Sequence, residues 1–217
     1  LKTPLTSIRG YGELLRSGVV NDPKQAQECV DRILKETTHM TALITDILMI
    51  SRLEGNDVVE KKTDIALRPA VEELCKSFTP MANEHRVMLE MQCETLCVHM
   101  SQKHVEQLIG NLISNAIKYN HEGGTVDVLI RRQENLLVIT VEDSGIGISK
   151  EDEKHIFERF YRVDKGRSRK IGGTGLGLSI AREIVQRHHG TIALAPHEGP
   201  GTTIRLTLPI GGPSNPI

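Results

Sequence analysis

The sequence predicts a helical hairpin followed by a two-layer α/β sandwich, and three observations predict it. Apolar residues recur in fours and threes through the first quarter of the chain, strand-like and helix-like stretches interleave after residue 60, and glycine-rich turns punctuate that second region. The 217 residues suit a compact domain plus a smaller module. The expected division is a hairpin over 1–60, a sandwich over 61–210 and an aperiodic tail over 211–217.

In the hairpin, Leu5, Ile8, Leu14 and Leu15 recur at helical spacing from Pro4 to about Ser17. Pro4 is tolerated because the first turn of a helix needs no N–H there. Gly18 to Pro23 interrupts the pattern, and Asn21 or Asp22 can cap the next helix, expected from about Lys24 to Leu53. Along it Ala26, Val30, Ile33, Thr37, Met40, Ile44 and Ile47 form a heptad seam. Two helices cannot hide such a seam alone, so the hairpin is expected to dimerise through residues 1–54 into a four-helix bundle.

Beyond Glu54 the strand-like stretches are 64–68, 86–92, 125–131, 136–142, 191–195 and 203–208, and the helical ones 69–84, 102–119 and 176–188. Val126, Val128 and Ile130 share one side of a strand, as do Ile204, Leu206 and Leu208. Several consecutive strands lie too close together for crossover helices, which predicts a mixed, largely antiparallel sheet with helices on one face.

Composition excludes several functions. With 27 Lys and Arg against 28 Asp and Glu, no basic surplus exists for nucleic acid or an anionic membrane surface. No apolar run approaches the roughly 18–20 residues that cross a bilayer. Four cysteines make no disulfide framework and suit a reducing compartment. Cys93, Cys97, His99 and His104 crowd one stretch, but they read as strand, turn and strand rather than the close pairs of a zinc site, with total-metal analysis as the arbiter.

The chemistry concentrates at the glycines. Asp143-Ser144-Gly145-Ile146-Gly147 leaves a strand, and Gly172-Gly173-Thr174-Gly175-Leu176-Gly177-Leu178 opens a helix. Such turns let backbone amides approach phosphate oxygens. Neither is a standard nucleotide loop: Leu178 stands where a P-loop requires Lys, and Lys150 replaces the third glycine of a dinucleotide fingerprint. Asn111 and Asn115 lie four apart on one helical face with Lys118 a step further, a grouping suited to metal and phosphate.

Taken together, Asn111-x3-Asn115-x2-Lys118-Tyr119, Asp143-x-Gly145-x-Gly147, Phe157-Glu158-Arg159-Phe160 and Gly173-Thr174-Gly175-Leu176-Gly177-Leu178 resemble, in order, the N, G1, F and G2 boxes of sensor histidine kinases. Leu1-Lys2-Thr3-Pro4-Leu5-Thr6 resembles the end of the family's H box. The resemblance implies a Bergerat ATP-binding fold after the hairpin, and ATP and Mg²⁺ as cofactors. It also implies phosphoryl transfer to a hairpin histidine and then to an aspartate of a response regulator, together with a phosphatase activity toward that regulator in which Thr3 would orient water. Asp143 would accept from the adenine amino group. Asn115, with Asn111, would hold Mg²⁺, and Lys118 would neutralise phosphate. Tyr119, Gly145, Gly147, Ile148, Phe160, Arg162, Arg169, Gly173, Thr174, Gly175, Leu176, Gly177 and Leu178 would surround the nucleotide. The basic segment 162–170 would form a lid and residues 54–61 a hinge.

The family's acceptor His and its Glu would precede Leu1, and His39 fits no H box. The expectation is therefore the truncated cytoplasmic part of a membrane-anchored bacterial sensor. Two rivals stay open: a hydrolysing ATPase, which would need an acid where Asn111 stands, and a non-enzymatic regulator.

Overall fold

The computed structural model describes residues 2–55, 61–163 and 173–210. The expected tail, and most of the expected lid and hinge, lie outside them. Helices α1 (Lys2–Arg16) and α2 (Pro23–Glu54) form the hairpin. Pro4 falls in the first turn of α1, and Asp22 caps α2 by accepting from the Lys24 N–H at 3.3 Å, with Pro23 at the first helical position.

The seam on α2 does not behave as one stripe. Ala26, Ile33 and Met40 are partly buried, on the same side as buried Cys29, whereas Val30, Ile44 and Ile47 remain 39%, 46% and 38% exposed and Thr37 is exposed. Leu34 and Leu48 extend that open stripe at 59% and 53%. The reason is geometric: α1 is 15 residues long against 32 in α2 and can cover only one side of part of its partner.

The second region runs β1 (Thr63–Ala66), α3 (Leu67–His85), β2 (Met88–Cys93), β3 (Cys97–Met100), α4 (Gln102–Lys118), β4 (Thr125–Gln133), β5 (Leu136–Asp143), α5 (Gly177–Arg187), β6 (Thr191–Ala195) and β7 (Thr202–Pro209). Helix α3 starts two residues before its expected position because Leu67, 1% exposed, belongs to the core rather than to the strand. A five-stranded sheet has the order β2-β4-β5-β7-β6. Only β2 and β4 are parallel; the β4–β5, β5–β7 and β6–β7 pairs are antiparallel. Strands β1 and β3 pair separately, Thr63 opposite Met100.

Alternation along β4 sends Val126, Val128 and Ile130 inward, all at most 1% exposed, to meet Leu108, Ile109, Leu112 and Ile113 of α4 and Ile180, Ile184 and Val185 of α5. Met49, Ile50 and Leu53 at the end of α2 join this same core. Around them Arg187 donates to the Leu53 carbonyl at 2.6 Å and Arg159 pairs with Glu54 at 2.7 Å. The hairpin is thus docked on the sandwich. Among the described residues no helix is long and apolar enough to cross a membrane.

Candidate functional site

Helix α4, the end of β5 and the turn before α5 converge on a cavity of about 540 Å³, the size of many small-molecule sites. Its walls include Asn111, Asn115, Lys118 and Tyr119 from α4 and its C-terminal end, Asp143 from β5, and Gly147 and Ile148 from the following turn. Arg162, Gly173, Thr174, Gly175, Gly177 and Leu178 complete its far side, and Val141, Ile156 and Ile204 supply an apolar surface. The α4 face can reach this space because the opposite face, carrying Ile109 and Ile113, both 0% exposed, is held in the core.

Asp143 is 9% exposed at the inner end of β5. Burial pushes its carboxyl up to about 6, although the backbone N–H groups of Gly145 and Thr202 and the nearby His197 oppose the rise. The Gly145 N–H reaches Oδ1 at 2.9 Å. This turn is possible only because residue 145 has no side chain: a Cβ there would collide with the Tyr119 carbonyl oxygen and lie 2.8 Å from Asp143 Oδ1. A carboxylate held in such a place has lost water and has fixed donors on one side only, so it suits a ligand that brings a donor of its own.

Two polar groups on the wall are unanswered. The Asn111 side-chain nitrogen is enclosed without a hydrogen-bond partner among the described residues, and so are Nε and Nη2 of Arg162. Lys118 is partly withdrawn from water, which lowers its ammonium below the usual range. Beside them the chain keeps very close to itself. Gly175 has φ +73°, and a Cβ on it would sit 3.0 Å from the Phe160 backbone, whose N–H donates to the Gly175 carbonyl at 2.8 Å. A Cβ at Gly177 would come within 3.2 Å of Asn111 Oδ1. Two carboxamides, a lysine, an arginine and small turns therefore line one chamber. That donor set fits an anion carrying a hard cation, since Mg²⁺ prefers neutral or anionic oxygens and phosphate oxygens accept from cations and backbone amides.

Not every expected residue lines the chamber. Gly145 lies buried just behind the wall, and Leu176, at 0% exposure, anchors the start of α5 in the core. Phe160 turns its ring outward at 59% exposure, on a backbone with φ +62°, so it contributes its main chain and not its ring. Thr3 is an exposed residue of α1 and no part of the cavity; Arg169 lies outside the described residues. The candidate zinc residues do not gather. His99 faces Asp64 at 2.8 Å, His104 faces His188 at 3.0 Å and Cys93 contacts the Glu94 carbonyl. Among the described residues no cluster of three such side chains could hold a metal.

The structure also adds wall residues that no motif announced. Ala42 and Asp46, both on α2, border the cavity. Thr174 Oγ1 donates to Asp46 Oδ2 at 2.7 Å and accepts from the Leu176 N–H at 3.2 Å.

Residues 100–212 match the family model described as histidine kinase-, DNA gyrase B-, and HSP90-like ATPase, and residues 1–56 match the His kinase A (phospho-acceptor) domain. The chain belongs to the sensor histidine kinases. Its second region is accordingly an ATP-binding domain of that ATPase class. Over 212 residues it is 40% identical to the sensor histidine kinase WalK of Bacillus subtilis (strain 168), a match covering 96% of this chain and 35% of WalK. The chain thus spans about a third of the length of that curated relative. Among solved structures, the histidine kinase AdeS of Acinetobacter baumannii superposes with a TM-score of 0.80 at 22% identity, covering 98% of each chain. The histidine kinase ThkA, solved in complex with the response regulator protein TrrA, superposes with a TM-score of 0.77 at 22% identity, covering 97% of this chain and 58% of ThkA. Both similarities concern the fold.

Proposed function

We propose that this chain is the catalytic region of a sensor histidine kinase that binds Mg-ATP and passes its γ-phosphoryl group to a histidine of the helical hairpin, and from there to an aspartate of a response regulator. The observation that carries the reading is one cavity lined by buried Asp143, the Asn111–Asn115 pair and the Gly173–Gly177 turn. The division into a hairpin over 1–60 and an ATP domain over 61–210 belongs to the same proposal. So does a homodimer formed through the exposed stripe of α2. Phosphatase action on the regulator, through Thr3, is a further part of it.

Asp143 accepts the adenine amino hydrogen. A guanine would present a carbonyl there and leave the buried carboxylate facing an acceptor, so the site prefers adenine. Asn115, with Asn111, offers amide oxygens to Mg²⁺, and Lys118 and Arg162 direct cationic hydrogens at the phosphates. Mg²⁺, when bound, would neutralise phosphate charge. In the transfer the bond from the γ-phosphorus to the β–γ bridging oxygen breaks and one to an imidazole nitrogen forms, releasing ADP. The protein supplies position and charge rather than covalent chemistry. Asn111 cannot take a proton from water, so hydrolysis should be slow beside transfer. The complex of ThkA with TrrA supports a receiver domain as the onward partner.

The test is phosphate incorporation from γ-labelled ATP into a chain carrying the family's His-Glu pair ahead of Leu1. Acid-labile labelling that moves to a receiver domain is expected. Rapid release of free phosphate with no labelled protein would favour a hydrolysing ATPase instead.

A further inference from the structure

The side chain of Asp46 has no place in the nucleotide chemistry described above, yet it stands on the cavity wall. It comes from the hairpin, not from the ATP domain, and reaches the glycine turn that the proposed function assigns to phosphate. A threonine hydroxyl has a single hydrogen to give. Thr174 gives that hydrogen to Asp46, so while α2 is docked the hydroxyl cannot donate to a phosphate oxygen. Asp46 also lies within electrostatic reach of Lys118, whose charge it shares.

We propose that Asp46 makes hairpin docking and triphosphate binding antagonistic, so that the docked arrangement accepts ADP more readily than ATP. The inference rests on the ATP-site reading. An added γ-phosphate brings negative charge next to a carboxylate in a space partly closed to water, where like charges repel more strongly than in bulk. It also competes for the Thr174 hydrogen and the Lys118 charge. Burial already raises the Asp46 carboxyl above its ordinary range, against the opposing pull of Thr174 and Lys118. The remaining dock is an apolar patch of Met49, Ile50 and Leu53, the Arg187 hydrogen bond to the Leu53 carbonyl and the exposed Arg159–Glu54 pair, contacts between the two regions rather than within either. Reciprocity follows: ATP loosens the dock and the dock weakens ATP, whereas ADP does neither.

Calorimetric titration of the chain with Mg-ATP and with Mg-ADP tests this, on the unaltered protein, on Asp46→Ala and on Glu54→Lys. Asp46→Ala is expected to tighten ATP about tenfold while moving ADP by less than about twofold. Glu54→Lys, which sets two cations against each other away from the cavity, is expected to tighten ATP several-fold in the same sense, and circular dichroism checks that both variants are folded. Equal shifts for ATP and ADP, or none, would overturn the proposal. A gain in Asp46→Ala without one in Glu54→Lys would overturn the coupling to docking. If the unaltered chain binds neither nucleotide, the ATP-site reading itself fails and this inference with it.

Discussion

The ATP domain and the hairpin are built to opposite degrees of completion. In the domain Val126, Ile130, Ile113, Ile117 and Ile184 all reach 0% exposure, each strand face being matched to a helix stripe. In the hairpin Leu5, Leu34 and Leu48 stay at 53%, 59% and 53%, and among the described residues Cys29, at 8%, is the one buried hairpin residue before α2 reaches the domain at Met49. A sheet covered by three helices satisfies its own apolar surface within one chain. Two unequal helices leave a stripe that only another surface can cover, and an exposed row of that kind marks an interaction site. The difference teaches that the domain covers its own apolar surface, while the hairpin leaves a stripe for another surface to cover.

The largest effect expected from breaking this contrast is Leu34→Glu combined with Leu48→Glu. Charging the open stripe in both protomers should weaken dimerisation on the order of a thousandfold, with ATP affinity unchanged. Analytical ultracentrifugation would show a monomer; a persisting dimer would mean that the covered face lies elsewhere. Leu112→Ala, in the closed core, should instead cost about 2–5 kcal/mol of stability in a denaturant melt, against under about 0.5 kcal/mol for Val30→Ala measured at dilutions that favour monomer. Equal costs would erase the distinction between the regions. Asn115→Ala should reduce Mg-dependent ATP affinity by about 10- to 100-fold, read by titration with and without the metal, and leave the melt unaltered.

A smaller effect comes from pH. The folded Asp143 carboxyl titrates at about 6, above its ordinary 3.8, so the folded chain holds a proton that the unfolded chain has released. Nucleotide-free stability therefore falls as pH rises across that window and levels off above it. With the proposed adenine contact, ATP affinity runs the other way, because the ionised carboxylate is the stronger acceptor: it should weaken below pH 6, by at most about tenfold per unit. Asp143→Asn should flatten the stability profile.

Much of this was legible in the sequence because it is written in local spacing. The i, i+4 relation of Asn111 and Asn115 puts both on one face of α4, and Asp143 at a strand end beside Gly145 marks a turn that must approach other backbone. What escaped depends on packing between distant segments. The four-three pattern of α2 announces an apolar surface but cannot say that Ile33 faces inward while Ile44 faces outward, since neighbouring stripes on one helix share residues of the same kind. Asp46 has no motif around it, and only the docking of Met49, Ile50 and Leu53 carries it to Thr174, 128 positions along the chain. Phe160 sits in a recognisable box, yet its left-handed backbone turns the ring to solvent.

The central claim is that buried Asp143 selects adenine in the cavity between α4 and α5. Isothermal titration with ATP and with GTP, each in excess magnesium, addresses it directly. Saturable heat with ATP, none with GTP over the same range, and loss of the ATP signal in Asp143→Asn is the result expected. Comparable binding of the two nucleotides, or an undiminished ATP isotherm in the variant, would contradict it.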